Sequence, residues 1–132
     1  MSQETVQLIR GMYEAFGTGD VATVLGQMDQ SIEWREAENF MYADRNPYVG
    51  PQAILEGVFM RLGSEWAPFT ITPEEWLDAG NQVVVLGTYR ATNKATGREV
   101  RAQFAHVWAV KGQRVVRFQQ YTDTKQFADA VA

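Results

Sequence analysis

The stretch that most limits how this chain can fold runs from Ala102 to Asp123: AQFAHVWAV, a Lys111-Gly112-Gln113 turn, then VVRFQQYTD. Both arms are rich in Val, Phe, Trp and Tyr, as strands are, and Gly112 sits where a tight turn needs a flexible residue. Side chains alternate along a strand, so Ala102, Phe104, His106, Trp108 and Val110 share one face. The single histidine of the chain thus lies between two large aromatics on an apolar face. A buried titratable group in such a setting is a candidate functional group. On the second arm Val116, Phe118, Gln120 and Thr122 share a face expected to be concave. Val115, Arg117, Gln119 and Tyr121 fall on the convex side. Asp123 suits either a cap for a tail helix or, if a bulge changes the phase, the mouth of a cavity. Arg90 is open in the same way.

Two more strands precede this hairpin, at residues 69–78 and 83–92, with turns at 79–82 and 93–97. Pro73 makes the first of them an edge strand or a bent one. The N-terminal half is helical. Ser2 can cap a first helix with Leu8, Ile9, Met12, Tyr13 and Phe16 at helical spacing, and Gly17 can stop it. Asp20 caps a short second helix, whose stripe is Val21, Val24, Leu25 and Met28. Asp29-Gln30 reads as its exit turn. Residues 31–37 (SIEWREA) alternate as a strand with Ile32, Trp34 and Glu36 on one face. Residues 38–49 have no clean period and more aromatics than a solvated loop needs, which suits a loop folded over a cavity. Gly50-Pro51 opens a third helix with the stripe Ile54, Leu55, Val58, Phe59 and Leu62, ended by Gly63-Ser64. The tail from Thr124 to Ala132 reads as a short helix.

The order predicts one α+β domain over residues 1–132: a cone-shaped, strongly curved antiparallel sheet with three N-terminal-half helices closing its concave face. A cone of this kind has a pocket open at one end.

Composition narrows the chemistry. The chain has no cysteine and one histidine, so disulfides, zinc-thiolate sites, iron–sulfur clusters, cysteine nucleophiles and histidine-rich metal sites are excluded within one chain. No metal and no cofactor are expected: there is no Gly-rich phosphate loop, no G-x-S-x-G elbow and no dinucleotide fingerprint. The net charge of −4 and scattered Lys and Arg do not form a nucleic-acid footprint. No apolar run reaches the length of a membrane span and Met1–Arg10 lacks a signal-peptide core, so a cytoplasmic location is expected.

Four segments carry a family resemblance: YEAFGTGD (residues 13–20), SIEW (31–34), YVGPQAI (48–54) and HVWAVKGQRVVRFQQYTDT (106–124). Together they resemble the SnoaL-like branch of the nuclear transport factor 2-like superfamily, which also includes ketosteroid isomerases and limonene epoxide hydrolases. The resemblance spans essentially the whole chain and implies a cystatin-like α+β barrel. In ketosteroid isomerases a protonated carboxylic acid of the oxyanion hole lies on the strand before the final hairpin turn. His106 takes that place, where SnoaL-like cyclases keep an acid/base aspartate. The isomerases' general base corresponds to Trp34, a departure, because an indole cannot abstract a proton. Their oxyanion-hole tyrosine falls near Tyr13.

His106 can act as acid, base or oxyanion donor, or be a core histidine satisfied by a hydrogen bond. Glu36, on the Trp34 face, can supply the carboxylate that Trp34 lacks or orient His106. Its ordinary reading, in the acidic run EWREAE, is a solvated strand end. Trp34, Phe59, Phe104, Trp108, Phe118 and Gln120 are expected to line the cavity, with Tyr42 and Tyr48 as further walls bearing hydroxyl donors. The expected function is cofactor-independent acid/base chemistry (isomerase, cyclase or dehydratase) on a small hydrophobic carbonyl compound, with His106, Glu36 and Tyr13 as its catalytic groups. The other reading is a non-catalytic dimeric module binding a hydrophobic metabolite. Either way a homodimer is expected through the convex sheet face.

Overall fold

The computed structural model describes residues 2–132; the Ser2 side chain, expected to cap the first helix, lies outside the described part. Helix α1 (Ser2–Gly17) ends at the expected glycine, and Gly19 follows at φ 78°. Helix α2 (Val21–Gly26) is capped by Asp20, whose carboxylate accepts from the Thr23 N–H at 3.2 Å and its hydroxyl at 2.6 Å.

Strand β1 (Met28–Arg35) begins earlier than its alternating pattern. The Asp29-Gln30 turn signal is a bulge inside the strand, where the register against the last strand slips between Met28 and Glu33. There the Asp29 carboxylate accepts from Ser31 N–H at 2.9 Å, a local bond of the kind that also makes turns. The aromatic loop holds a 3-10 turn (Met41–Arg45) and a two-residue strand β2 (Tyr48–Val49), which pairs antiparallel with β1. It therefore adds a strand to the five expected.

The third helical rod comprises α3 (Pro51–Ile54), a π-helical turn (Leu55–Phe59) and α4 (Met60–Glu65). It runs through Gly63-Ser64, which did not stop it; the backbone becomes extended only at Trp66. Strands β3 (Trp66–Asp78), β4 (Gln82–Asn93), β5 (Glu99–Lys111) and β6 (Arg114–Thr122) form an antiparallel meander. β3 is an edge strand, one of the two forms that Pro73 allowed, and its register shifts between Pro73 and Glu75.

The sheet order is β2-β1-β6-β5-β4-β3, with β1 parallel to β6. The sheet is thus mixed rather than wholly antiparallel, and curved but unclosed, so the barrel is open between β2 and β3. Helix α5 (Thr124–Val131) is a fourth closing element: its Phe127 is fully buried against Phe40, Trp66, Phe69 and Tyr89. One correction falls on β6. A register shift at Ala109 and Val110 turns Val115 into the core and leaves Val116 only partly buried, the reverse of simple alternation. From Phe118 onward the expected phase holds. Among the described residues no helix is long and apolar enough to cross a membrane.

Candidate active site

Alternation on β5 places Phe104, His106 and Trp108 on the buried face, and register sets His106 opposite Gln120 on β6 and Val85 on β4. Helix α1 brings Tyr13 over this face. The Tyr13 hydroxyl lies 2.5 Å from His106 Nδ1 and accepts from Trp108 Nε1 at 2.9 Å. On the other side the Tyr89 hydroxyl, from β4, lies 2.5 Å from His106 Nε2. Gln120 Nε2 donates to the Tyr89 oxygen at 2.9 Å, and Gln120 Oε1 accepts from the Ala37 N–H at 3.1 Å. A continuous polar chain therefore crosses an otherwise apolar interior. Phe104 stacks on the imidazole with ring centres 4.0 Å apart.

Glu36 lies just past β1, on the Trp34 face, and is buried at 3% exposure rather than solvated. Two contacts hold it there. Its carboxylate accepts from Trp34 Nε1 at 2.9 Å, and its backbone N–H and C=O are both taken by the Asn46 side chain, at 3.0 and 2.8 Å. Trp34 at the expected base position thus acts as a hydrogen-bond donor to the carboxylate two residues on. No bond joins Glu36 to His106; the histidine is oriented by tyrosines instead.

Burial sets the protonation states. Desolvation raises the Glu36 carboxyl from an ordinary 4.5 to about 7, with the Trp34 N–H and the Arg61 charge pulling weakly the other way. Desolvation lowers His106 from 6.5 to about 3, so the imidazole is neutral. It also pushes the Tyr13 and Tyr89 hydroxyls upward, partly offset at Tyr13 by the Trp108 donor and at Tyr89 by Gln120.

These groups line one cavity. His106, Glu36, Tyr13, Trp34, Phe59, Trp108, Phe118 and Gln120 all reach it. The walls are aromatic: Trp34 stacks on Phe118 with centroids 3.8 Å apart, and Phe59 and Trp108 meet Trp34 edge-on, each at 5.7 Å.

Three expected wall residues are elsewhere. Phe104 lies behind the imidazole, and the hydroxyls of Tyr42 and Tyr48 are used in bracing the aromatic loop. Tyr42 donates to Glu65 at 2.5 Å and accepts from Trp66 Nε1 at 3.1 Å. Tyr48 donates to the Tyr42 carbonyl at 2.5 Å and accepts from Arg61 at 2.8 Å; Arg61 is also paired with Asp44. Asp123 is exposed and accepts from Gln126, and Arg90 is exposed. The sequence reading missed Tyr89. It alternates in phase with Val83 and Val85 on its strand, so its inward direction was available, but its meeting with His106 depends on the register. Among the described residues no cluster of three or more His, Asp or Glu could hold a metal ion.

The sequence profile of the SnoaL-like domain matches residues 9–118. No curated protein matches the sequence. Among solved structures, an NTF2-like protein of Burkholderia thailandensis E264 is 34% identical with a TM-score of 0.92, each chain covered to 96%. An NTF2-like protein of unknown function from Burkholderia pseudomallei K96243 is 27% identical (TM-score 0.87, coverage 96% and 95%). TerC, crystallised with polyporic acid, is 23% identical (TM-score 0.85, coverage 96% of each chain), a likeness of fold alone. The polar chain and apolar cavity described above thus sit in a known framework, and the chain belongs to the SnoaL-like domain family with the nuclear transport factor 2-like fold.

Proposed function

We propose that the protein is a cofactor-independent enzyme moving a proton next to the carbonyl of a small, apolar, cyclic compound, as an isomerase, cyclase or dehydratase would. One observation carries this reading: a buried carboxyl with a pKa of about 7 shares an apolar cavity with a network of tyrosine hydroxyls. A base poised near neutrality takes and returns a proton with little cost in either direction. Glu36 is the proposed base, filling the role that Trp34 cannot. Tyr13 is the proposed donor to the substrate oxygen, where charge develops as the proton leaves. His106 serves the same oxygen through Tyr13. The aromatic walls exclude water and strengthen these contacts. TerC, of the same fold, was crystallised with polyporic acid, which fits the idea of an organic ligand in this framework.

The test is hydrogen–deuterium exchange next to the carbonyl of a panel of cyclic enones and cyclic diketones in D₂O, followed by NMR. Exchange is expected with the native protein and should fall about 100-fold or more in Glu36→Gln. Binding without exchange across the panel would favour a module that only holds its ligand.

The protein is also proposed to act as a homodimer in a cytoplasmic setting. The outward side of β4–β6 carries half-buried Val84, Leu86, Val107 and Val116, beside Tyr121 at 56% exposure. An apolar sheet face of this kind suits a second copy packed on it. Light scattering at micromolar concentration should give twice the chain mass, and Tyr121→Glu should shift it towards the monomer.

A further inference from the structure

Tyr13, His106 and Tyr89 are joined in a row by two hydrogen bonds, each 2.5 Å long. A neutral imidazole brings one N–H, and each tyrosine one O–H. Three protons thus serve two bonds, and one is left over. It sits on whichever tyrosine accepts from the ring.

The outer neighbours cannot take it. Trp108 Nε1 can only donate, and it does so to the Tyr13 oxygen. Gln120 can in principle be turned either way, but the Ala37 N–H holds its Oε1, so its NH₂ faces the Tyr89 oxygen. Both ends of the row are therefore closed by donors, and the surplus proton has to point at water or a ligand.

Burial selects between the two tyrosines. Tyr89 also borders the cavity but is only 3% exposed, with Phe69, Phe104 and Phe127 packed around its ring. Tyr13 is partly exposed and lines the cavity. An unpartnered donor is tolerated where water can reach it and not where it is sealed.

We infer that His106 is held as the neutral Nδ1–H tautomer, accepting from Tyr89 and donating to Tyr13, so that the Tyr13 hydroxyl is a dedicated donor aimed into the cavity. His106 is then a positioning residue whose tautomer sets the polarity of another group. The Tyr13 oxygen already accepts from Trp108 and His106, so both its lone pairs are used. It can give a proton to a ligand oxygen and cannot receive one. The ligand class that follows is an acceptor at this point, a ketone, quinone or enolate oxygen. The burial that keeps the ring uncharged agrees with this assignment. Only the identification of the acceptor with a reacting carbonyl rests on the function proposed above; the proton pattern stands without any substrate.

Because His106 is the single histidine, protein labelled with ¹⁵N-histidine reports two ring nitrogens and no others. The expected spectrum has a pyrrole-type Nδ1 carrying a directly bonded proton and a pyridine-type Nε2, unchanged between about pH 5 and pH 8. A proton on Nε2, a mixture of the two tautomers, or titration of the ring within that range overturns the inference. Carbonyl turnover by a protein with the Nε2–H ring would keep the proposed activity and remove this assignment. An Nδ1–H ring in a protein that turns nothing over would do the reverse.

Discussion

Glu36 and Gly57 show how much a single position can depend on residues far from it in sequence. Glu36 is in phase with Trp34, and that phase is legible in SIEWREA. Its burial is not, because the same acidic run would suit a solvated strand end equally well. What buries it is the Trp34 N–H on one side and the Asn46 side chain, ten residues on, clamping its backbone. Gly57 is a comparable case. A Cβ built there would lie 2.2 Å from Tyr48 Cε2, so the helical rod can press on that ring only because the side chain is missing. Gly57→Ala is expected to cost about 1–3 kcal/mol of stability, as overpacking does. Urea denaturation measures it, and a midpoint equal to the native one would show that the Tyr48 ring yields freely. Tyr42 and Tyr48 carry the same lesson in reverse. Their hydroxyls looked like ligand donors in sequence, yet they hold the loop to Arg61, Glu65 and each other. Aromatic content predicted an apolar covering; which hydroxyl faced inward depended on contacts that no local pattern encodes.

Among the elements, α5 gains most from tertiary context. From sequence it is a short, weakly patterned tail, and eight residues make a marginal helix in water. It is ordered because Phe127 inserts among Phe40, Trp66, Phe69 and Tyr89. Phe127→Ala should therefore cost about 3–5 kcal/mol, the range for truncating a buried aromatic. Removing the ring also takes away one wall behind Tyr89, so the variant should accept larger apolar ligands than the native protein. Calorimetry gives the first effect and ligand titration the second; a loss under about 1 kcal/mol would mean that α5 packs without its plug. The elements with strong periodicity were readable: α1, α2, the β5–β6 hairpin, and β3 as an edge strand through Pro73. The missed element, β2, is two residues long and exists only because β1 offers it an edge. The bulges in β1 and β6 are also tertiary features. They let strands of unequal path follow one curved sheet, and the shift at Ala109 and Val110 reverses Val115 and Val116.

At the scale of the whole molecule, Glu36 and His106, the cavity groups that titrate below pH 8, pull stability in opposite directions with pH. His106 stays neutral in the fold down to about pH 3, whereas the unfolded chain takes up a proton below 6.5. The unfolded state thus binds more protons between those values, and stability falls as pH drops through them. Glu36 keeps its proton in the fold up to about pH 7, while in the unfolded chain it is released near 4.5. Here the folded state binds more protons, and stability falls as pH rises from 4.5 through 7. Between 4.5 and 6.5 the two contributions cancel, each amounting to one proton. The melting temperature is therefore expected to be flat across that interval and to decline on both sides. Asp20, Asp29 and Asp44, each held below 3.8 by hydrogen-bond donors, add to the acid decline only. Glu36→Gln separates the two limbs, because it leaves His106 in place and removes the one group whose ionisation burdens the fold near neutrality. Its melting temperature should rise with pH from about 4.5 to 6.5, where the native one is flat, and should no longer fall from 6.5 to about 7. An alkaline decline that survives the substitution would assign the effect to another group and would leave Glu36 ionised in the native cavity at neutral pH. That outcome would bear on function as well, since a carboxyl with an ordinary pKa is a weaker base and would be slower to take a proton from substrate.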